Sequence, residues 1–162
     1  MRVAAGVEVA APAHAVWEHV SDPARYLHFM SGVTRWEVVS DEPRGVGARY
    51  RMLMRVGSAE VGGLIEVVEH RPPRDLAWTS VTGIDQRGRW RLRDRPGDRT
   101  HMELRLAYGV TGAGVFGWLS ELVAAPIVRG HLQRTVRQLK RQVEHERQRA
   151  RAAARRGAGV AG

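Results

Sequence analysis

The residues of this sequence that could move protons or hold a metal follow no familiar catalytic spacing. Seven histidines occur without an HExxH motif or any pair at i and i+4, and no serine stands in a Gly-x-Ser-x-Gly motif. The chain has no cysteine, which excludes disulfides, thiolate metal sites and cysteine nucleophiles. We therefore expect no metal site, no cofactor and no nucleophilic triad.

Three residues remain as candidates for acid–base catalysis: Tyr50, Tyr108 and His28. Tyr50, Ser80 and Tyr108 are the hydroxyl-bearing residues on the predicted inner face of the strands, which holds no carboxylate or imidazole. His28 lies in the segment ARYLHFM, beside the predicted start of the sheet. Reactions at carbon next to a carbonyl need a positioned proton donor or acceptor, so these three would carry any catalysis. The alternative is structural: buried, hydrogen-bonded tyrosines and a partly exposed histidine.

Strands are the main elements that must position these residues. Hydrophobic and polar residues alternate from residue 33 to residue 109, the pattern of strands with one buried face. Turn residues interrupt the alternation five times, and such short connections join only antiparallel neighbours. A further strand through Val3, Val7 and Val9 precedes them. The predicted strands of the alternating region cover residues 33 to 41, 46 to 56, 59 to 70, 75 to 82, 87 to 94 and 99 to 109.

Two short helices are predicted between the first strand and the second. Pro12 stands where a helix can begin without losing a backbone hydrogen bond. Ser21 and Asp22 precede Pro23 in the pattern of an N-cap followed by a proline at the first helical position. Gly32 marks the end of the second helix.

A long amphipathic helix is predicted at the C-terminal end. Its apolar residues recur every three or four positions, which is the helical period, and the opposite face is rich in arginine. Pro126 predicts either a kink in this helix or a break into two helices. One side of the helix therefore needs a core to pack against. The apolar stripe comprises Val115, Trp118, Leu122, Ala125, Val128, Leu132, Val136, Leu139 and Val143.

The segment GAGVFG, residues 112 to 117, matches the dinucleotide-binding pattern G-x-G-x-x-G. That motif requires a second parallel strand after its helix and an acidic residue about twenty positions further on. Here the chain ends in helix, and Arg137 stands at that distance. We therefore interpret the glycines as a turn from the last strand into the long helix.

The net charge of +9 is concentrated at the C-terminal end. From Arg129 onward there are ten basic residues against Glu144 and Glu146, so the rest of the chain carries about +1. Without interleaved aromatic residues, this end predicts no specific nucleic-acid recognition. A solvated helix face explains it, and a weak contact with an anionic membrane is the alternative. We predict a domain over residues 1 to 147 and a basic, Gly/Ala-rich disordered tail over residues 148 to 162.

The length and composition fit a single water-soluble domain. With 162 residues and 43% hydrophobic content, the chain can bury a sizeable core. It has no apolar run of about eighteen residues and no basic-then-apolar leader. A cytoplasmic protein is therefore expected.

The order of the predicted elements resembles the START-like superfamily, and within it the polyketide cyclase/dehydrase and lipid-transport family. The resemblance is carried, in this order and spacing, by VEVAAPAHAVWEHVSDPARYLHFMSGVTRWEV, GVGARYRM, EVVEHRPPRDLAWTS and LQRTVRQLKRQVE. It implies an α+β helix-grip fold, in which a seven-stranded antiparallel curved sheet wraps the long C-terminal helix. It also implies an apolar cavity between the sheet and that helix.

The function that this resemblance implies is binding of a hydrophobic small molecule, such as a polyketide, lipid or isoprenoid. Two alternatives stay open: an aromatase-type cyclase/dehydrase enzyme acting on a bound polyketide chain, and a membrane-associated lipid or quinone carrier. Soft Met and Trp side chains on the inner face suit an irregular apolar ligand, although they also suit plain core packing. Neither the ligand nor an oligomeric state is assigned. The predicted ligand-binding residues are Tyr50, Met52, Met54, Ile65, Val67, Trp78, Ser80, Trp90, Met102, Leu104, Leu106, Tyr108, Trp118 and Leu122.

Overall fold

Seven antiparallel strands form one curved sheet in the order β1-β7-β6-β5-β4-β3-β2. The computed structural model describes residues 1–109 and 114–161, the side chains of residues 114–123 excepted. Hairpins join the strands from β2 to β7 in sequence, and β1 pairs with β7 along its whole length. The strands are β1 (Arg2–Val9), β2 (Val33–Val38), β3 (Arg49–Val56), β4 (Ala59–Arg71), β5 (Asp75–Gly83), β6 (Asp85–Arg95) and β7 (Arg99–Gly109).

All the predicted strands are confirmed, and the largest difference lies between β2 and β3. The alternation predicts strand up to residue 41 and again from residue 46, but pairing stops at Val38 and resumes at Arg49. Gly45 and Gly47 have φ values of +89° and +92°, in the left-handed region that favours glycine. A strand cannot continue through that backbone conformation, so residues 39–48 form a loop.

The two short helices lie between β1 and β2. Helix α1 spans Ala13–Val20, and α2 spans Tyr26–Phe29 directly after a 3₁₀ turn at Pro23–Arg25. The Asp22 carboxylate accepts a hydrogen bond from the Ala24 amide at 3.1 Å, so Asp22 caps this turn. The predicted pattern of a cap followed by a proline is thus confirmed.

The long helix, α3, spans Gly114–Val160 and continues through Pro126 as one element. Two separate helices, the alternative prediction, are therefore not found. The predicted disordered tail also differs from the structure, because residues 148–160 continue α3. These residues are exposed, and Ala and Arg are among the strongest helix formers. Once the docked part of α3 is formed, such a sequence extends the helix without needing a core.

The apolar stripe of α3 packs against the inner face of the sheet. Each of its described residues from Val128 onward is at most 3% exposed, and burying such a side chain stabilises the fold by about 1.5–3 kcal/mol. Polar contacts fix the helix beside β1: Lys140 Nζ donates to the Glu8 carbonyl at 2.8 Å, and the Glu144 carboxylate accepts from the Ala10 amide at 2.8 Å. The buried stripe residues are Val128, Leu132, Val136, Leu139 and Val143.

Candidate functional site

A cavity of about 220 Å³ lies between the sheet and α3. Alternation along β3 brings every second side chain of its second half to this space. Strands β4, β6 and β7 and the turn before β6 complete the wall, and α3 borders the space on the opposite side. The lining residues are Met52, Met54, Val56, Ala59, Val61, Gly62, Ile84, Gln86, Leu106, Tyr108, Ala124 and Val128.

Strands β3 and β4 approach each other closely at Gly62, which lines the cavity. A Cβ atom at Gly62 would lie 2.1 Å from the Met52 carbonyl oxygen, so no larger residue fits without moving the backbone. The wall therefore lacks a side chain at Gly62, and two other lining residues, Ala59 and Ala124, carry only methyl groups.

Two polar side chains line the otherwise apolar wall. Gln86 is 6% exposed, and its Nε2 atom lies 3.3 Å from Met52 Sδ. Tyr108 is half-buried, and its hydroxyl lies 3.5 Å from Met1 Sδ. Gln86 and Tyr108 are direct cross-strand partners in the β6–β7 pair. The cavity therefore has one polar corner.

The predicted ligand-binding residues fall into several groups in the structure. Met52, Met54, Leu106 and Tyr108 line the cavity. The side chains of Trp118 and Leu122 lie outside the described part of the chain. For the four that line the cavity, contact with a ligand stays a prediction that the geometry permits.

A second group surrounds a separate, nearly filled space of about 10 Å³ beneath α1 and α2. Aromatic rings fill this region: Trp36 packs against Tyr50 with ring centroids 5.5 Å apart and meets Trp78 edge-on at 6.1 Å. The inner face of the sheet is thus packed with aromatic rings beneath α1 and α2, whereas it borders the cavity beside α3. The predicted residues found here are Tyr50, Ile65, Val67 and Trp78.

Tyr50 is held as a structural hydrogen-bond donor. Its hydroxyl donates to the Pro43 carbonyl at 2.6 Å and so ties the loop over residues 39–48 to β3. Burial raises the pKa of Tyr50 to about 12; Arg44 acts in the opposite direction and Asp22 adds to the rise. At neutral pH this phenol keeps its proton, and its oxygen is aimed at the loop.

Trp90, Met102 and Leu104 belong to the closed core, since each is at most 1% exposed. Ser80 stabilises the turn between β5 and β6. Its hydroxyl accepts from the Gln86 backbone amide at 3.2 Å and donates to Asp85 Oδ1 at 3.3 Å. None of these four residues lines the cavity.

His28 lies on the surface of α2, away from the cavity. Its side chain is exposed, and its backbone carbonyl accepts hydrogen bonds from the side-chain amides of Gln138 at 3.0 Å and Gln142 at 2.7 Å. The residue therefore joins α2 to α3 through its backbone. Of the three acid–base candidates, Tyr108 alone lines the cavity.

Gln86 is the polar lining residue that the sequence analysis did not predict. The predicted strand began at residue 87, yet β6 begins at Asp85. Gln86 is an even number of residues from Trp90 and Leu92, so it lies on the same face of β6 as these buried residues. Extending the alternation backwards by one step would have placed it there.

His131 and its polar partners join α3 to β3 and to the segment before β2. His131 lies one helical turn beyond Val128, and its Nε2 atom is 3.0 Å from the Arg55 carbonyl oxygen, so Nε2 carries the proton. Its Nδ1 atom is 3.2 Å from the Ser31 hydroxyl and 3.0 Å from Arg134 Nη2. Burial lowers the pKa of His131, Arg134 lowers it further, and the Arg55 carbonyl opposes both. The neutral ring is the form that fits this cluster.

Over the described residues, the structure contains no group of three or more His, Asp or Glu side chains placed to hold a metal ion. Within the same residues, no helix has the length and apolar character needed to cross a membrane.

Comparison with known proteins assigns a family to this architecture. The sequence model of the family described as polyketide cyclase / dehydrase and lipid transport matches residues 1–144. The chain belongs to this family. The match includes every strand and both short helices, and it ends in α3 before the exposed helical extension. Among curated protein sequences, none matches the chain.

Solved structures share the polyketide cyclase/dehydrase and lipid-transport fold seen here. A protein of Thermus thermophilus superposes with a TM-score of 0.76 at 22% identity, covering 88% of this chain and 97% of its own. The Zhui aromatase/cyclase of Streptomyces sp. R1128 gives 0.75 at 20% identity, covering 89% and 93%. A START superfamily protein of Mycobacterium smegmatis gives 0.69 at 19% identity, covering 89% and 97%. At these identities the likeness concerns the fold.

Proposed function

We propose that this protein binds a hydrophobic small molecule in the cavity between the sheet and α3. The observation that carries the proposal is the cavity itself: about 220 Å³ of space between the sheet and α3, walled mainly by apolar side chains. Empty apolar space costs packing energy, and large-to-small changes in cores are destabilising for that reason. A cavity of this size is a natural place for an apolar guest.

The size and lining of the cavity indicate what that guest is. Pockets for drug-sized molecules have volumes of about 300–1,000 Å³, so 220 Å³ accommodates a compact molecule or one end of a longer one. Met52 and Met54 provide flexible, polarisable thioethers that adapt to irregular apolar shapes. A polyketide, a lipid or an isoprenoid presents such a surface, and the family that includes this chain is described by the first two.

A second candidate function is catalysis of the cyclase/dehydrase type on a bound polyketide chain. It is favoured by the position of Tyr108, whose side chain lines the cavity and can donate a proton. The variant that tests this function is Tyr108→Phe, which removes the hydroxyl and keeps the ring. If the protein is an enzyme, this variant should bind a linear poly-β-ketone as well as the wild type does but lose its turnover.

Filling the cavity tests the binding proposal. Val61→Phe adds an aromatic ring to the wall of the cavity, whereas Val68→Phe makes the same change on the same strand at an exposed position. We expect Val61→Phe to weaken binding of naphthalene by about tenfold or more, measured by fluorescence titration, while Val68→Phe leaves it unchanged. Mass spectrometry of the natively purified protein should also detect a copurifying apolar compound. Equal naphthalene affinity in both variants would contradict the proposal.

A further inference from the structure

Gln86 is a buried amide at the wall of an apolar cavity. It is 6% exposed, and its neighbours in the wall include Met52, Ile84 and Leu106. A side-chain amide has two N–H donors and a carbonyl with two acceptor sites, and a buried amide without partners destabilises a protein. A hydrocarbon residue would fill this position at no such cost.

The protein satisfies little of this hydrogen-bonding capacity. Among the described residues, the one hydrogen bond of the Gln86 side chain runs from Nε2 to Met52 Sδ at 3.3 Å, and a thioether is a weak acceptor. The backbone is firmly held, since the Gln86 amide N–H donates to Ser80 Oγ at 3.2 Å. The residue is therefore fixed at its base, while the outer part of its amide retains capacity for a further partner.

Tyr108 stands directly opposite Gln86 in the β6–β7 pair and lines the same cavity. Side chains of directly opposed residues have Cβ atoms about 4.5–5.5 Å apart. Their polar ends have different neighbours, since Gln86 Nε2 lies 3.3 Å from Met52 Sδ and the Tyr108 hydroxyl lies 3.5 Å from Met1 Sδ. The remaining described lining side chains are aliphatic or thioether groups, apart from Gly62.

The wall also restricts the charge of the bound molecule. None of the described lining residues is Lys, Arg, His, Asp or Glu. An ionised carboxylate or phosphate in such a space would lose its hydration without gaining a counter-charge. A neutral hydroxyl or carbonyl oxygen is matched by the Gln86 side-chain amide.

We infer that the ligand is a neutral apolar molecule bearing a hydroxyl or carbonyl oxygen, and that Gln86 determines this specificity by hydrogen bonding to that oxygen. The inference rests on the proposed function, because it concerns the same cavity. It adds that a pure hydrocarbon of equal shape binds less well. It also assigns Gln86 to ligand recognition.

Two probes of nearly equal shape test this inference: naphthalene and 2-naphthol, each titrated by fluorescence into wild type and into Gln86→Met. Methionine matches the length of glutamine and removes the amide. In wild type, 2-naphthol should bind about tenfold more tightly than naphthalene, the usual effect of one well-placed hydrogen bond to a buried group. In Gln86→Met the preference should disappear, with naphthalene binding kept or strengthened. Gln86→Leu is the second variant, in case the first is poorly folded.

The outcomes separate the inference from the proposed function. Naphthalene binding in wild type without a preference for 2-naphthol would overturn the role of Gln86 and leave the proposed function standing. The same would follow if Gln86→Met lowered the melting temperature but left the ratio of the two affinities unchanged, because the amide would then be purely structural. Failure of wild type to bind either probe would overturn both.

Discussion

Replacing Gly88 by alanine should destabilise this fold through one specific collision. Gly88 on β6 is the cross-strand partner of Trp78 on β5. A Cβ atom at residue 88 would lie 2.0 Å from Trp78 Cζ2 and 2.1 Å from Cε2. Carbon atoms in van der Waals contact are about 3.5–4.0 Å apart, so the indole would have to move by about 1.5 Å.

The surroundings leave the indole little free space for that movement. Trp78 is 3% exposed, and Trp36 meets it edge-on with ring centroids 6.1 Å apart. Overpacking a core of this kind costs about 1–3 kcal/mol, and the lower chain entropy of unfolded alanine returns about 0.4–1 kcal/mol. A net loss of about 1–2 kcal/mol follows, or a melting temperature about 2–8 °C lower for a domain of this size.

Urea unfolding followed by circular dichroism and tryptophan fluorescence measures this loss. The matched control is Gly130→Ala in α3, where the nearest atom to the added Cβ is Arg134 Nη1 at 3.4 Å, the end of a flexible side chain. In a helix interior this change should raise stability by about 0.5–1 kcal/mol. The same Gly-to-Ala substitution is thus expected to lower the free energy of unfolding at residue 88 and to raise it at residue 130.

A double variant identifies the collision as the cause. Trp78→Phe removes the atoms nearest to residue 88, so Gly88→Ala should cost far less in that background, with a coupling energy of about 1–2 kcal/mol. Wild-type stability of the single Gly88→Ala variant would refute the close packing of the indole over β6. Purely additive losses in the double variant would show that the cost arises elsewhere.

Three further outcomes are expected. Because burial and Arg134 lower the pKa of His131 in the folded state, the unfolded chain binds more protons, and stability should fall as the pH drops below the ordinary histidine value of 6.5. His131→Gln should flatten this part of the urea-unfolding profile against pH, exposed His14→Gln should not, and unchanged profiles for both would refute the assignment. Tyr50→Phe loses the hydrogen bond to the carbonyl of exposed Pro43 and should cost about 0.5–1.5 kcal/mol in urea unfolding without weakening naphthalene binding; weaker binding would place Tyr50 in the site. Thr135→Val removes the buried acceptor of the Ser31 amide at 2.9 Å and should cost about 1–3 kcal/mol by the same measurement, so that a neutral variant would argue against this contact.

The strands were predictable because their signals are local. Alternation assigns faces one residue at a time, and glycine and proline mark the turns. The prediction was wrong at the ends of β2 and β3, where Val39 and Val46 continue the apolar pattern although Gly45 and Gly47 adopt positive φ. It also differed after residue 147, because low hydrophobicity suggested disorder in a segment that extends α3.

The candidate site was less predictable because alternation shows which side chains share a face of the sheet but not which of them border a cavity. Tyr50, Met52 and Met54 share one face of β3, and nothing in the alternation separates them. In the structure Trp36 covers Tyr50, while Met52 and Met54 reach the open space near Gly62. On the other side, in β4, Ile65 pairs with Tyr50 whereas Gly63 pairs with Met52.

The sequence by itself determined that an apolar sheet face and the apolar stripe of a long helix must pack together, since each would otherwise expose its hydrophobic residues to water. The tertiary structure alone decided where that packing is incomplete and which polar groups meet there. The β6–β7 register sets Gln86 opposite Tyr108 at the cavity wall, although the two residues are far apart in the chain. Periodicity specifies the direction of a side chain, whereas the position and volume of its distant neighbours follow only from the folded register.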